Sequence, residues 1–142
     1  MKPGKDFVGI FVCGICHDGE GNVLYMKRSQ KARDEQGSWN IGAGGTLELG
    51  ETLEACLVRE VKEETDADIL ETTYIGHREI FREKDGIQSH WIGHYFKVLV
   101  EREKVKIMED VFDDILWQSF HEIPKPMISH WDTTYELFKK YF

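Results

Sequence analysis

Arg59, Glu60, Glu63 and Glu64 place one cation and three carboxylates within six residues. Carboxylates hold a hard metal ion when they share a face. The pattern from Leu53 to Thr65 predicts a helix, with Thr52 as its N-cap. On that helix Leu53, Leu57, Glu60 and Glu64 follow at intervals of four, three and four, so they form one stripe. Cys56 and Glu63 flank the stripe, while Ala55, Val58 and Lys62 point the other way. An ordinary glutamate-rich helix sets its acids opposite its apolar residues, as a solvated face. Here Glu60 and Glu64 continue the apolar stripe. Three carboxylates within one turn repel one another, and partial burial is costly unless something positive compensates. Lys62 points away, which leaves a divalent cation. Oxygen donors at i and i+4 suit Mg²⁺ or Mn²⁺ better than zinc. The preceding loop, Gly42 to Gly50, contains Gly42, Gly44, Gly45 and Gly50, so backbone can approach a ligand closely beside the helix start.

The elements that must position this helix are mostly strands. Phe7 to Cys16 is β-rich, and Asp18-Gly19-Glu20-Gly21 is turn chemistry ahead of Val23 to Lys27, so the two segments read as a hairpin. Ser29 to Gly37 is polar and loop-like, and a short segment Trp39 to Ala43 follows it. Beyond the helix, Thr73 to Arg82 and His90 to Val100 read as long strands, with Glu83-Lys84-Asp85-Gly86 as a hairpin signal between them. Ile115 to Phe120 is a last strand. Pro124 and Pro126 precede a C-terminal amphipathic helix carrying Trp131, Tyr135, Leu137, Phe138 and Phe142. The expected class is mixed α/β.

The 142 residues suit one domain, 1–142, with 41% hydrophobic and 31% charged residues, too apolar for disorder. The longest apolar run, Phe7 to Cys16, is about half of a bilayer crossing, and no small-residue cleavage site follows it as a signal peptide requires. Three cysteines suit a reducing compartment, and a cytoplasmic location is expected. The net charge is −8, of which −5 lies between Glu48 and Asp66, where seven acids meet only Arg59 and Lys62. That balance argues against a broad nucleic-acid or anionic-membrane surface. A small anionic ligand is still allowed, provided cations stand between it and the carboxylates.

Gly45, five residues, Glu51, seven residues, then Arg59-Glu60-Val61-Lys62-Glu63-Glu64 resembles the Nudix box, which here runs from Gly45 to Ala67. At roughly 7% usage per position, its six fixed matches coincide by chance on the order of once in 10⁵ such chains. The approach, Trp39-Asn40-Ile41-Gly42-Ala43-Gly44-Gly45, is also similar, with Ala43 where the family usually has proline. The resemblance implies an α/β/α sandwich around a mixed β-sheet and hydrolysis of nucleoside diphosphate-linked substrates. It implies Glu60 and Glu64 as the main metal ligands, Glu63 as a further ligand or the base, and the Gly44 carbonyl as a backbone ligand. Arg59 belongs with these at the reacting centre, paired with Glu51 so that the loop is held against the helix. Mg²⁺, or Mn²⁺ in its place, neutralises the diphosphate and lowers the pKa of a bound water. Asp113 is the candidate for a late acid from another loop. Asp66 replaces the final glycine of the box. Its position after the helix predicts a left-handed residue, and its charge is unfavourable at the negative end of the helix dipole.

Other motifs weigh less. Cys13-Gly14-Ile15-Cys16 matches C-x-x-C, but on a strand its thiols face opposite sides. His90 and His94 suit one zinc ion only on a helix; on a strand they are about 13 Å apart. Trp39, Trp91 and Trp117 could stack a base, and Trp91 is the first of them to test as a substrate contact. In the family, a proline about fifteen residues past the box or a tyrosine slightly later resembles other substrate classes, and Phe81-Arg82-Glu83-Lys84-Asp85 has neither. By elimination a nucleoside triphosphate, cleaved to monophosphate and pyrophosphate, is the expected substrate. The alternatives are a nucleotide-sugar or ADP-ribose type of diphosphatase, a diphosphate isomerase, and a non-catalytic nucleotide-binding module. The expected partner is a small nucleotide, with no membrane, and a homodimer is compatible with these features.

Overall fold

Alternation along β1 (Gly9–His17) divides the molecule into two layers. In the computed structural model, which describes residues 1–142, Val12 and Cys16 enter one core while Phe11, Cys13 and Ile15 face the other. The remaining strands are β2 (Val23–Arg28), β3 (Trp39–Ile41), β4 (Ala43–Thr46), β5 (Ile69–Lys84), β6 (Ile87–Val100) and β7 (Phe112–Gln118). They form one seven-stranded sheet in the order β3-β2-β1-β6-β5, with β4 paired to β1 and β7 to β2. The β1–β6 pair is parallel and the others are antiparallel, so the sheet is mixed. Helix α1 (Leu53–Thr65) covers the first face with Cys56, Leu57 and Val61, and α2 (Trp131–Phe138) covers the second with Trp131 and Phe138. This is the expected α/β/α sandwich. No helix is long and apolar enough to cross a membrane.

Several boundaries differ from the sequence reading. The expected β1–β2 hairpin closes only at its turn, through His17↔Val23. Further along, that side of β1 is taken by β4, in the register Phe11↔Thr46 to Gly14↔Ala43. The glycine-containing loop therefore contains a strand. Strands β5 and β6 extend past the expected 73–82 and 90–100, because a two-residue turn, Asp85-Gly86, has both φ angles positive (54° and 77°) and carries the pairing to Lys84↔Ile87. Phe7 and Val8 lie outside β1 and are exposed, and β7 starts at Phe112 instead of Ile115.

The ends of α1 are as the sequence predicts. Thr52 Oγ1 accepts the Ala55 N–H at 3.1 Å. Asp66 is left-handed, at φ 61°. Its charge is better placed than expected, since Lys62 and Lys106 both approach its carboxylate at 3.6 Å. Lys62 thus serves the cap.

Candidate functional site

The pairing of β4 with β1 brings two glycines under α1 in the register Cys13↔Gly44 and Val12↔Gly45. A Cβ on Gly44 would lie 2.1 Å from the Val12 carbonyl oxygen, so only glycine lets these strands meet. A Cβ on Gly45 would lie 2.4 Å from the Glu60 carboxyl carbon. The absence of a side chain there is what makes room for Glu60.

Glu64 is 7% exposed, and its Oε1 accepts the Gly44 N–H at 2.8 Å. Burial pushes its pKa up to about 8; the Gly44 hydrogen bond opposes this, and the charges of Glu60, Glu109 and Glu63 add to it. Glu60 is raised as well, first by burial, while Arg59 pulls it back and Glu63 and Glu109 push it up. The inward stripe is therefore present, and no cationic side chain pairs with Glu64.

Arg59 organises the rest. Its Nε and Nη2 donate to the two oxygens of Glu51 at 2.7 and 2.8 Å, a bidentate pair that holds the Glu51 carboxyl down to about 2. Nη1 donates to Glu60 at 2.7 Å and to Glu63 at 3.4 Å, and Nη2 donates to the Thr46 carbonyl at 3.2 Å. Glu48 contributes its backbone N–H to Glu51 at 2.9 Å. The sequence predicts compensation of the acids by a metal ion; in the structure Arg59 also answers Glu60. Glu63 is exposed and the least tied of the three.

The structure brings together Gly44, Gly45, Glu51, Arg59, Glu60, Glu63 and Glu64. Asp113 is exposed on β7, and no hydrogen bond or ion pair joins it to them. The late acid whose charge reaches Glu60 and Glu64 is Glu109. The segment before β7 lies along the end of α1, with Lys106 N–H donating to the Thr65 carbonyl and Met108 N–H to that of Glu64. Nothing in the spacing of Met108-Glu109-Asp110 signals this; it follows from backbone pairing across the fold. Trp91 is half-buried. Its indole lies against the Gly4 and Gly9 backbones, where a Cβ would come within 2.3 and 2.5 Å, and it tilts toward Phe11 at 6.3 Å.

The donors fit a hard divalent cation in kind, being all oxygen, with a buried carboxylate that no cationic side chain pairs. As they stand, no three acidic, histidine or cysteine side chains converge on one point, since Glu60 is turned to Arg59. The other motifs stay apart from this cluster. Cys13 and Cys16 face opposite layers, and all three cysteines are free thiols. His94 Nδ1 shares a 2.8 Å hydrogen bond with the Tyr74 hydroxyl, and His90 stacks on Phe81 at 4.3 Å.

The family model for the NUDIX domain matches residues 8–140. A stretch of 67 residues, 47% of this chain, is 42% identical to the NAD-capped RNA hydrolase NudC of Vibrio atlanticus (strain LGP32). That match covers 24% of the relative, so the chain spans about a quarter of its length. Among solved structures, the MutT protein from Methanosarcina mazei Go1 is similar with a TM-score of 0.76 at 23% identity, over 94% of each chain. The MutT NUDIX hydrolase from Burkholderia pseudomallei is similar with a TM-score of 0.75 at 20% identity, over 91% of this chain and 96% of that one. At these identities the two structures support the fold.

Proposed function

The chain belongs to the NUDIX domain family, and from that premise we propose that it is a divalent-metal-dependent pyrophosphohydrolase that converts a nucleoside triphosphate to its monophosphate and pyrophosphate. The observation that carries this reading is the buried Glu64, aligned with Glu60 on α1 and held to Gly44 without a cationic partner. A module that only binds nucleotides has no need of a buried, uncompensated carboxylate, which costs stability.

Glu60, Glu64, Glu63 and the Gly44 carbonyl would hold the Mg²⁺. When bound, the ion neutralises diphosphate oxygens and makes a bound water more acidic. The remaining work falls to the chain. Glu51 and Arg59 fix the segment from Thr46 to the start of α1, so that the Gly44–Gly45 backbone and the carboxylates keep their spacing. Release of Glu60 by Arg59 frees that carboxylate to turn toward Glu64. Glu63, exposed and weakly held, is placed to accept the proton of the attacking water; Glu109 is the second acid at hand. Trp91 supports the sheet face beside Phe11, and Asp113 is exposed on β7.

A second reading is favoured by one observation, the 42% identity to an NAD-capped RNA hydrolase: a diphosphatase of nucleoside diphosphate-linked compounds such as NAD or ADP-ribose. One experiment separates the two. The protein with Mg²⁺ is given the common nucleoside triphosphates, NAD and ADP-ribose, and the products are weighed by mass spectrometry. Monophosphate plus pyrophosphate from a triphosphate is the expected result. Cleavage confined to NAD or ADP-ribose would overturn the triphosphate assignment.

A further inference from the structure

Strand β5 is an edge of the sheet, paired to β6, and its register shifts near the middle. Tyr74 is opposite Phe96 and Gly76 is opposite Tyr95, so Ile75 is an extra residue, a bulge in which Gly76 has a φ of 137°. Residues three apart on a regular strand face opposite sides. The bulge cancels that rule here. Tyr74 and His77 stand on the same face, and both meet His94 of β6, which is directly opposite His77. Each of their rings has its centroid 5.9 Å from that of His94. Bulges that re-aim a side chain in this way are frequent beside functional sites.

The two imidazoles have what a metal ion needs. His77 is exposed and His94 half-buried, so dissolved ions reach both. Burial, and then the neighbouring His77, hold the His94 pKa below its ordinary value, which keeps its lone pair free near neutral pH. His94 Nδ1 is hydrogen-bonded to the Tyr74 hydroxyl at 2.8 Å, which leaves Nε2 for a metal. A hydroxyl accepts from an Nδ1–H as readily as it donates, so this contact survives metal binding and fixes the tautomer that binding requires. Two imidazoles side by side on one ion, with metal–nitrogen bonds of about 2.0–2.1 Å, have centroids roughly 4.5–5.3 Å apart. The observed 5.9 Å closes to that range if His77, which no hydrogen bond or ion pair restrains, leans in by about 1 Å.

We propose that His77 and His94 form a second metal site, for a borderline transition-metal dication such as Ni²⁺, Zn²⁺ or Cu²⁺, with Tyr74 orienting His94. Imidazole nitrogen suits these ions, whereas Mg²⁺ takes oxygen, so this pair and the acids of α1 select different metals. The two places are also apart. His94 is paired with Val12, and Val12 with Gly45 beneath Glu60, so His94 lies two strand spacings, about 10 Å of backbone, from the carboxylates. One ion cannot serve both. Water fills the remaining positions on the ion, and the ion ties the edge strand β5 to β6.

The test is Ni²⁺ binding to tag-free protein by titration calorimetry, with Mg²⁺ in excess to occupy the carboxylates, and thermal melting with and without Ni²⁺. Hydrolysis plays no part in either readout. The wild type should bind Ni²⁺ and melt at a higher temperature with it. His77→Asn and His94→Asn should each weaken binding by at least about tenfold, because the second imidazole of a chelating pair acts at high effective concentration. Both should lose the gain in melting temperature. Tyr74→Phe keeps both imidazoles but frees His94 to turn, and should weaken binding by about tenfold. His90→Asn leaves the pair intact and should bind as the wild type does. In the NMR spectrum, Ni²⁺ should broaden the imidazole signals of His77 and His94 first. His77 is exposed, so His77→Asn decides the matter if His94→Asn fails to fold. No Ni²⁺ binding in excess Mg²⁺, or binding that His77→Asn retains in full, would overturn the proposal. Full affinity in Tyr74→Phe would overturn the orienting role of Tyr74.

Discussion

Glu64 is the residue on which the most depends, and its environment makes it measurable without a substrate. Between the ordinary carboxyl value of 4.5 and about 8, the unfolded chain has released the Glu64 proton while the folded chain retains it. Metal-free stability should therefore fall as pH rises across that window. Glu64→Gln removes the titration, so its melting temperature should change less from pH 5 to pH 8 and should match or exceed the wild type at pH 8. The same variant should lose a factor on the order of 10² to 10⁴ in kcat, because a metal-anchoring charge has gone. A fully active Glu64→Gln enzyme would contradict the assignment. Asp66 carries a smaller prediction. Glycine would relax its left-handed backbone, but the contacts with Lys62 and Lys106 would be lost. Asp66→Gly should thus stay within about 0.5 kcal/mol of the wild type in urea denaturation. A larger gain would mean that the backbone strain outweighs the lysine contacts, and a larger loss the reverse; either would contradict their balance at Asp66. Glu60, Glu63 and Glu64 were legible in the sequence because helical periodicity alone puts two of them on the apolar side. Glu109 was not, because a backbone contact between distant segments brings it there.

At the level of elements, the site depends on β4, in which three of the four residues (Ala43, Gly44 and Gly45) have low β-propensity, so that it reads as loop until β1 is seen to pair with it. The two glycines in it should respond differently to the same substitution. In Gly45→Ala the atoms nearest the new methyl are the end of the Glu60 side chain, which can swing away, so the fold should survive while activity falls. In Gly44→Ala the methyl meets the Val12 backbone, and β4 must separate from β1. Thermal melts and turnover, measured together, check this. Equal destabilisation by both variants would mean that Gly45 is needed for the strand and not for Glu60. The boundaries of α1 were predictable from its cap and stripe. The partial opening of the β1–β2 hairpin was not, since it is decided by which strand takes the edge of β1.

Over the whole molecule one face of the sheet carries two sets of side chains of metal-binding type. Around β4 lie the carboxylates, gathered with Arg59; across β5 and β6 lie His77 and His94. Composition foreshadowed the first, through the concentration of charge between Glu48 and Asp66. It was silent on the second, because two histidines on different strands carry no signal until the pairing sets them opposite each other. In the proposed function the acids of α1 act through a divalent ion. Its most direct test is the rate of nucleoside triphosphate hydrolysis against free Mg²⁺, starting from protein stripped with EDTA. The stripped protein should show no turnover, and activity should return saturably as Mg²⁺ is added, with Mn²⁺ able to substitute. Turnover that survives thorough chelation, at the rate seen with Mg²⁺, would contradict it.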